Sequence, residues 1–414
     1  MGRKVLPLTG VRIADLTIAV AGPAATALLA ELGAEVVRIE HVNARLPRNR
    51  RARSAGPGHE RPYNRTVPGE LGRSKKAIAL NLSRPEARAV FLRLVQVSDV
   101  VIDNFSPRVM PNFGFTYEAL REVRPDIIVA SMPAFGSSGP YANRVSFGPG
   151  IDAMSGLQSL SGYPDTAPIK PGHVFSDYNT AALTAYSVML ALFHRARTGE
   201  GQRIEVAMRE AATFLIGDAL LQTAMDPENP PVRLGNRHPS MAPHNVYPCE
   251  GEDRWVAIGV RDDAEWARLG AALGDPDWSR DPRFATAAGR LRYQDEIDEH
   301  LSRWTRTRSP SDAMQQLQAA HVNAGAVLDA RDVATDPHYR ARGFIRAVET
   351  PDAGTVFWNR PGYVLSEAPG ELRPAPGFAE QNDEVFEAIL GMSEAEVRAL
   401  EACRATSRQP ISLD

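Results

Sequence analysis

Along the first half of the chain, short apolar runs alternate with stretches of helical spacing. Val11–Leu16 reads as a buried strand. Gly22 and Pro23 open a helix running from Ala24 to Leu32, Gly33 closes it, and Glu35–Glu40 reads as a second strand. Strand, helix and parallel strand within about thirty residues make one right-handed βαβ unit. The alternation continues through Ala77–Leu80, Asp99–Asp103 and Asp126–Ala130 as strands, with Pro85–Val97 and Tyr117–Val123 as helices. This order predicts an α/β fold, a doubly wound, Rossmann-like parallel sheet with helices on both faces. Ligands of such sheets sit beyond the carboxyl ends of the strands, so the turns after Leu16, Glu40, Asp103 and Ala130 are expected to converge on one site.

The longest apolar stretch, Thr180 to Phe193, is apolar on nearly every face, and such a helix is expected to be buried. It begins at about Tyr178 and ends with Arg195 and Arg197 ahead of Gly199, the usual helix stop. Asp177 stands near its N-cap, where free backbone N–H groups favour an anion. Two readings stay open at this point, a helix cap or a carboxylate that does chemistry.

Beyond Arg203–Ala207 and a helix to about Met225 the texture changes. Asp226–Pro231 is a proline-rich break. Strands follow near Asn245–Pro248 and Trp255–Val260, then amphipathic helices to about Ala319. A strand pair at Ile345–Glu349 and Gly354–Trp358, an extended tail and a helix from about Glu380 complete the chain. The expected organisation is a large domain of residues 1–225 plus 331–414 and a smaller α+β domain of 226–330.

Composition narrows the chemistry. The 414 residues carry a net charge of −3, which gives no whole-protein push toward nucleic acid or membrane. The two cysteines, Cys249 and Cys403, form no metal-ligand spacing, so no metal is expected and a reducing cytoplasm fits. No run of 18 apolar residues appears and the amino terminus lacks the pattern of a signal peptide. The first strand–helix turn has no glycine fingerprint, which counts against a nicotinamide-dependent oxidoreductase. Basic residues cluster at Arg45, Arg48, Arg50, Arg51 and Arg53, and at Lys75 and Lys76. Each cluster reads either as solvated surface or as contact to phosphate.

Several ordered stretches resemble the class III CoA-transferases. They are Leu8–Leu16 with Gly22-Pro23 and Leu32–Glu40, Lys75–Asn81, Asp103–Pro107 with Arg108, Phe135–Tyr141 (Phe-Gly-Ser-Ser-Gly-Pro-Tyr) and His194–Gln202 (His-Arg-Ala-Arg-Thr-Gly-Glu-Gly-Gln). Ala242–His244, Asp253–Trp255 and Asp336–His338 with Arg342–Phe344 extend the resemblance over essentially the whole chain. The resemblance implies that Asp177 is a nucleophile that attacks an acyl-CoA thioester and passes through aspartyl anhydride and aspartyl-CoA intermediates to a second carboxylic acid. It implies coenzyme A contacts from Ala19, Val20, His41, Lys75, Lys76, Asn104, Phe105 and Arg108, with coenzyme A as substrate and no prosthetic group. It further implies an interlocked homodimer, with Gly156–Tyr163 walling the acyl pocket.

Two departures matter. His41 stands where many relatives carry arginine, which alters one phosphate contact, and Val20 stands where formyl-CoA transferase carries glutamine; that enzyme's glycine run in the second domain is also replaced, by Gly235-Asn-Arg-His-Pro-Ser-Met, so oxalate and formate are not expected substrates. A racemase branch of the same fold epimerises 2-methylacyl-CoA with a histidine shortly after the Gly-Pro-Tyr motif. Here that region reads Phe147-Gly-Pro-Gly-Ile-Asp152 with no histidine, and proton abstraction needs a base there. A non-catalytic acyl-CoA-binding protein is the remaining alternative, and the presence of Asp177 speaks against it.

Overall fold

The computed structural model describes residues 5–43, 67–170 and 172–411. The arginines between 45 and 53 lie outside the described residues. The chain forms two compact units, one of residues 1–157, 170–220 and 342–414, the other of 158–169 and 221–341.

The first unit is built on six parallel strands: β1 (Arg12–Asp15), β2 (Glu35–Glu40), β3 (Lys76–Ala79), β4 (Val100–Asp103), β5 (Ile128–Ser131) and β6 (Arg203–Glu205). Their order across the sheet is β3-β2-β1-β4-β5-β6. Ile13 is level with Val36 on one side and Val100 on the other. Because β2 and β4 flank β1, the winding direction reverses there, and that reversal leaves a crevice at the carboxyl ends of β1 and β4.

At their centres the strands are apolar and buried on both faces, as is usual for parallel strands, with polar residues at the strand ends and in the edge strand β6. Ala14, Val37, Val101 and Val129 point to the face covered by α3 (Pro85–Gln96) and α5 (Tyr117–Val123). Ile13, Val36, Val100, Ile102 and Ile128 point to the face covered by α1 (Ala21–Glu31) and α7 (Phe175–Thr198). Each such side chain contributes about 1.5–3 kcal/mol on leaving water. The shorter helices α2 (Val67–Leu71), α4 (Val109–Asn112) and α6 (Gly148–Met154) sit in the connections. After β6 come α8 (Met208–Thr213) and α9 (Gly217–Met225), two helices where the sequence suggested one.

Helix α7 differs from expectation in two respects. It starts at Phe175, three residues before the expected Tyr178, which puts Asp177 inside the first turn. The helix has no side-chain cap of its own. Instead the Asp152 carboxylate, from α6, accepts the Ser176 N–H at 3.1 Å. The Ser176 N–H is thus satisfied by a distant residue, while the Asp177 carboxylate accepts its own backbone N–H.

The second difference is burial. Thr180, Thr184 and Val188 are buried, yet Phe175, Tyr178, Tyr186, Met189 and Phe193 form an exposed stripe at helical spacing. At its far end Arg195 pairs with Asp99 at 2.9 Å, just before β4, and Gly199 closes the helix at φ 78°. The helix therefore runs antiparallel to the strands and returns its amino end to their carboxyl edge.

The second unit holds the antiparallel sheet β7 (His244–Pro248), β8 (Trp255–Gly259) and β9 (Asn323–Ala326). Around Val256, Ile258, Trp266, Leu269, Phe284, Ile297 and Leu317 its helices form a separate core. Back in the first unit, β10 (Ile345–Thr350) and β11 (Gly354–Asn359) make a hairpin. The expected final helix is instead a π-helical turn at Glu384–Ile389 followed by an α-helix at Glu394–Ala402.

Candidate active site

The turn after β1 and the turn after β4 are tied together at the crevice. The Asn104 carboxamide accepts the Ile18 N–H and donates to the Ile18 carbonyl, both at 2.8 Å. Held by this clamp, Ala19 adopts φ 63°, a left-handed conformation that a residue with a Cβ reaches only at a cost of about 1–2 kcal/mol. The strained turn delivers α1 so that the Ala21 N–H donates to the Asp177 carboxylate.

Asp177 is 7% exposed, and its Oδ2 has no hydrogen-bond partner among the described residues. Burial raises its pKa above the usual carboxylate value, the Ala21 N–H opposes that, and the neighbouring Asp152 charge adds to the rise. Asp152 is fully buried and its own Oδ2 is also unpaired among the described residues. Gly148, the first residue of α6, makes room for the nucleophile candidate. A Cβ there would lie 2.0 Å from Asp177 Oδ2.

Asp177 opens on a cavity of about 230 Å³ lined by Ile18, Ala19, Asn104, Phe105, Val109, Arg144, Phe147 and Met208, among others. Its walls are mostly apolar, and among the described residues Arg144 is the one basic residue and no histidine lines it. Desolvated in this way, a carboxylate with a raised pKa and one free oxygen is a competent nucleophile toward an acyl carbon, and the Ala21 N–H offers stabilisation to negative charge developing beside it.

The residues singled out in the sequence divide into groups. Ala19, Asn104 and Phe105 line the cavity, and Val20 is the N-cap of α1 next to it. Arg108 is exposed at the start of α4 and has no ion-pair partner among the described residues. His41 is exposed just past β2 and contacts Asn43.

The lysines depart from expectation. Lys75 is enclosed, its ammonium donating to Thr26 Oγ1 (2.7 Å), the Pro23 carbonyl (2.9 Å) and Asp15 Oδ2 (3.2 Å). Burial lowers its pKa to about 8, against the pull of Asp15. As placed it has nothing left to offer a phosphate, and it braces the first turn of α1 from below. Lys76 pairs with Glu35 at the start of β2 and with Glu384. That directs it to the amino edge of the sheet, away from the crevice.

Asp152, Gly148 and Arg144 are site residues that the sequence pattern does not single out, although a Gly-Pro-Gly turn leading into an acidic residue, as in Phe147–Asp152, is a signal of a tight approach.

The chain matches the sequence profile of CoA-transferase family III over residues 8–382. It is 33% identical over 400 residues to succinyl-CoA–D-citramalate CoA-transferase of Chloroflexus aurantiacus, covering 96% of this chain and 98% of that one. Succinate–glutarate CoA-transferase of Agrobacterium fabrum is 30% identical over 390 residues, covering 92% and 95%. Among solved structures, a CaiB/BaiF family protein from Brucella suis superposes with a TM-score of 0.81 at 29% identity, covering 94% of this chain and all of that one.

Proposed function

The chain belongs to CoA-transferase family III and is an enzyme of that type, and from this premise we propose that Asp177 carries coenzyme A from an acyl-CoA thioester to a free carboxylic acid. The observation that carries the reading is the buried Asp177 carboxylate, with one oxygen unpaired among the described residues, at the mouth of an apolar cavity where the sheet reverses direction. The two relatives are named for succinyl-CoA and citramalate, and for succinate and glutarate. A carboxylic acid as acyl acceptor is what we extend to this chain.

In the proposed sequence Asp177 attacks the thioester carbonyl carbon. The carbon–sulfur bond breaks, the thiolate leaves with the electron pair, and a mixed anhydride remains on Asp177. The thiolate then attacks the aspartyl carbonyl, which releases the first acid as its carboxylate and leaves an aspartyl-CoA thioester. The incoming carboxylate attacks that thioester, the carbon–sulfur bond breaks, the coenzyme A thiolate leaves with the electron pair, and a second anhydride forms. Thiolate attack on its acyl carbonyl yields the new acyl-CoA and restores Asp177. Each step exchanges one acyl bond for another, so no oxidant or prosthetic group is called for.

The raised pKa of Asp177 makes the anion a stronger nucleophile than an exposed carboxylate. Asp152 contributes through its charge and through its hold on the Ser176 N–H. The coenzyme A contacts we retain are Ala19, Val20, Asn104, Phe105, Arg108 and His41, with Lys75 in a bracing role. A second copy of the chain is the proposed cover for the apolar stripe on α7, in keeping with an interlocked homodimer. We place the enzyme in the cytoplasm. Among the described residues no helix is long and apolar enough to cross a membrane.

Acyl-CoA supplied without an acceptor should leave an added mass on the peptide containing residues 172–195, and hydroxylamine should remove it as a hydroxamate on Asp177. Asp177→Asn preserves the side-chain shape, should still bind coenzyme A, and should neither form the adduct nor transfer. Transfer near the parental rate by this variant would sink the assignment.

A further inference from the structure

The wall of the cavity at Asp177 carries a cation that the transfer chemistry itself does not use, on a residue that is exposed. Arg144 lines it, and among the described residues no carboxylate pairs with this guanidinium. The group is nevertheless held in place. It lies 4.4 Å above the ring of Tyr141, which Phe135 meets edge-on at 6.0 Å. Arg209 sits 5.6 Å from the same ring. Stacking on an aromatic face positions an arginine without neutralising it, so Arg144 keeps its fork of donors available.

Resting on the transferase reading, we propose that Arg144 anchors the remote carboxylate of a dicarboxylic acyl group whose other end reacts at Asp177, and that the enzyme's acids are short aliphatic diacids. Size agrees with this: a cavity of about 230 Å³ admits a short diacyl group such as succinyl, with Ala19, Asn104 and Phe105 in the same wall left to meet the pantetheine arm.

Charge points the same way. Asp177 and the buried Asp152 present two carboxylates near the reacting end, which disfavours an approaching dianion unless a cation receives its far end. A planar guanidinium binds a carboxylate through two parallel hydrogen bonds, and the remaining walls, such as Ile18, Val109 and Met208, suit the methylene chain between.

The test compares succinyl-CoA with butyryl-CoA, equal in chain length and differing in the second carboxylate. The parent should favour succinyl-CoA in kcat/KM, and Arg144→Gln should reduce the succinyl-to-butyryl ratio by about tenfold to a hundredfold, with Arg144→Lys recovering part of it. Succinate alone should raise the melting temperature of the parent and not of Arg144→Gln, a readout independent of turnover. A parent that prefers butyryl-CoA, or a variant that loses both donors equally, overturns the anchor while leaving transfer intact. The second of these results would assign Arg144 to coenzyme A itself. Absence of turnover and of an Asp177 adduct with either donor would instead remove the transferase reading. Succinate protection lost in Arg144→Gln would still support the anchor in that case, and equal protection of both proteins would overturn it.

Discussion

Gly148→Ala probes the geometry of the nucleophile with a single methyl group. Gly148 begins α6 with an ordinary backbone φ, so alanine meets no conformational barrier there. Its Cβ would lie 2.0 Å from Asp177 Oδ2 and 2.8 Å from Val174 Cγ1. Ordinary contact begins at about 3.4 Å, so the carboxylate oxygen has to retreat by the difference from 2.0 Å, about 1.4 Å. Val174 narrows the space from the same side, and Asp177 cannot swing back without giving up the Ala21 N–H. A misplacement of about 1 Å at a reacting group costs on the order of a hundredfold in rate. Helix propensity favours alanine over glycine by about 0.5–1 kcal/mol, which offsets part of the steric cost to folding. The expectation is a folded protein whose single-turnover adduct formation falls at least a hundredfold, with coenzyme A affinity within a fewfold of the parent. Gly172→Ala, where a Cβ meets nothing within 4 Å, is the matched control. A folded Gly148→Ala enzyme within threefold of parental activity would show that Asp177 reacts from some other position than the one described.

Two further outcomes follow from burial. Asp103 is fully enclosed, accepting from Ser131 Oγ and the Phe105 N–H, and burial raises its pKa from 3.8 to about 6. The folded state thus prefers the protonated acid. The benefit is complete below about pH 4 and lost as pH rises through about 6, a change of about 3 kcal/mol at about 1.4 kcal/mol per pH unit. Asp103→Asn does not titrate, so urea unfolding should show its stability relative to the parent improving by about 2–3 kcal/mol between pH 4 and pH 7.5, and a pH-independent difference would contradict this. The stripe on α7 exposes 56% of Tyr186 and 62% of Phe193 in the isolated chain. Sedimentation should give a dimer of the 45.1 kDa chain that Tyr186→Glu with Phe193→Glu dissociates, and a monomeric parent would rule out a second copy as the cover.

How much of this was legible in the sequence depends on the range of the interaction. The βαβ alternation is local, a matter of which neighbouring residues share a face, and strands at Arg12–Asp15, Glu35–Glu40, Lys76–Ala79 and Val100–Asp103 appear where that pattern puts them. The stop of α7 was equally legible, because a basic last turn and a left-handed glycine are local devices. Its start was not. The Ser176 N–H is capped by Asp152, 24 residues away, and no pattern around Tyr178 encodes that partner.

Charge is the term that sequence position conveys least. Lys75 stands in a basic motif and reads as a phosphate ligand, yet its ammonium is consumed by Asp15, 60 residues earlier. Arg144 stands in a loop outside the family motifs, and the group beneath its guanidinium is the Tyr141 ring, with no carboxylate paired to it among the described residues. The sequence by itself determined the strand–helix alternation, the family motifs and Asp177 as the carboxylate to watch. Only the tertiary structure decided that Asp152 takes the Ser176 N–H, that one Asp177 oxygen is unpaired among the described residues, and which cations are spent. The reason is physical. Periodicity records which side of an element avoids water, whereas pairing, desolvation and free volume depend on side chains that meet only when distant parts of the chain are packed together.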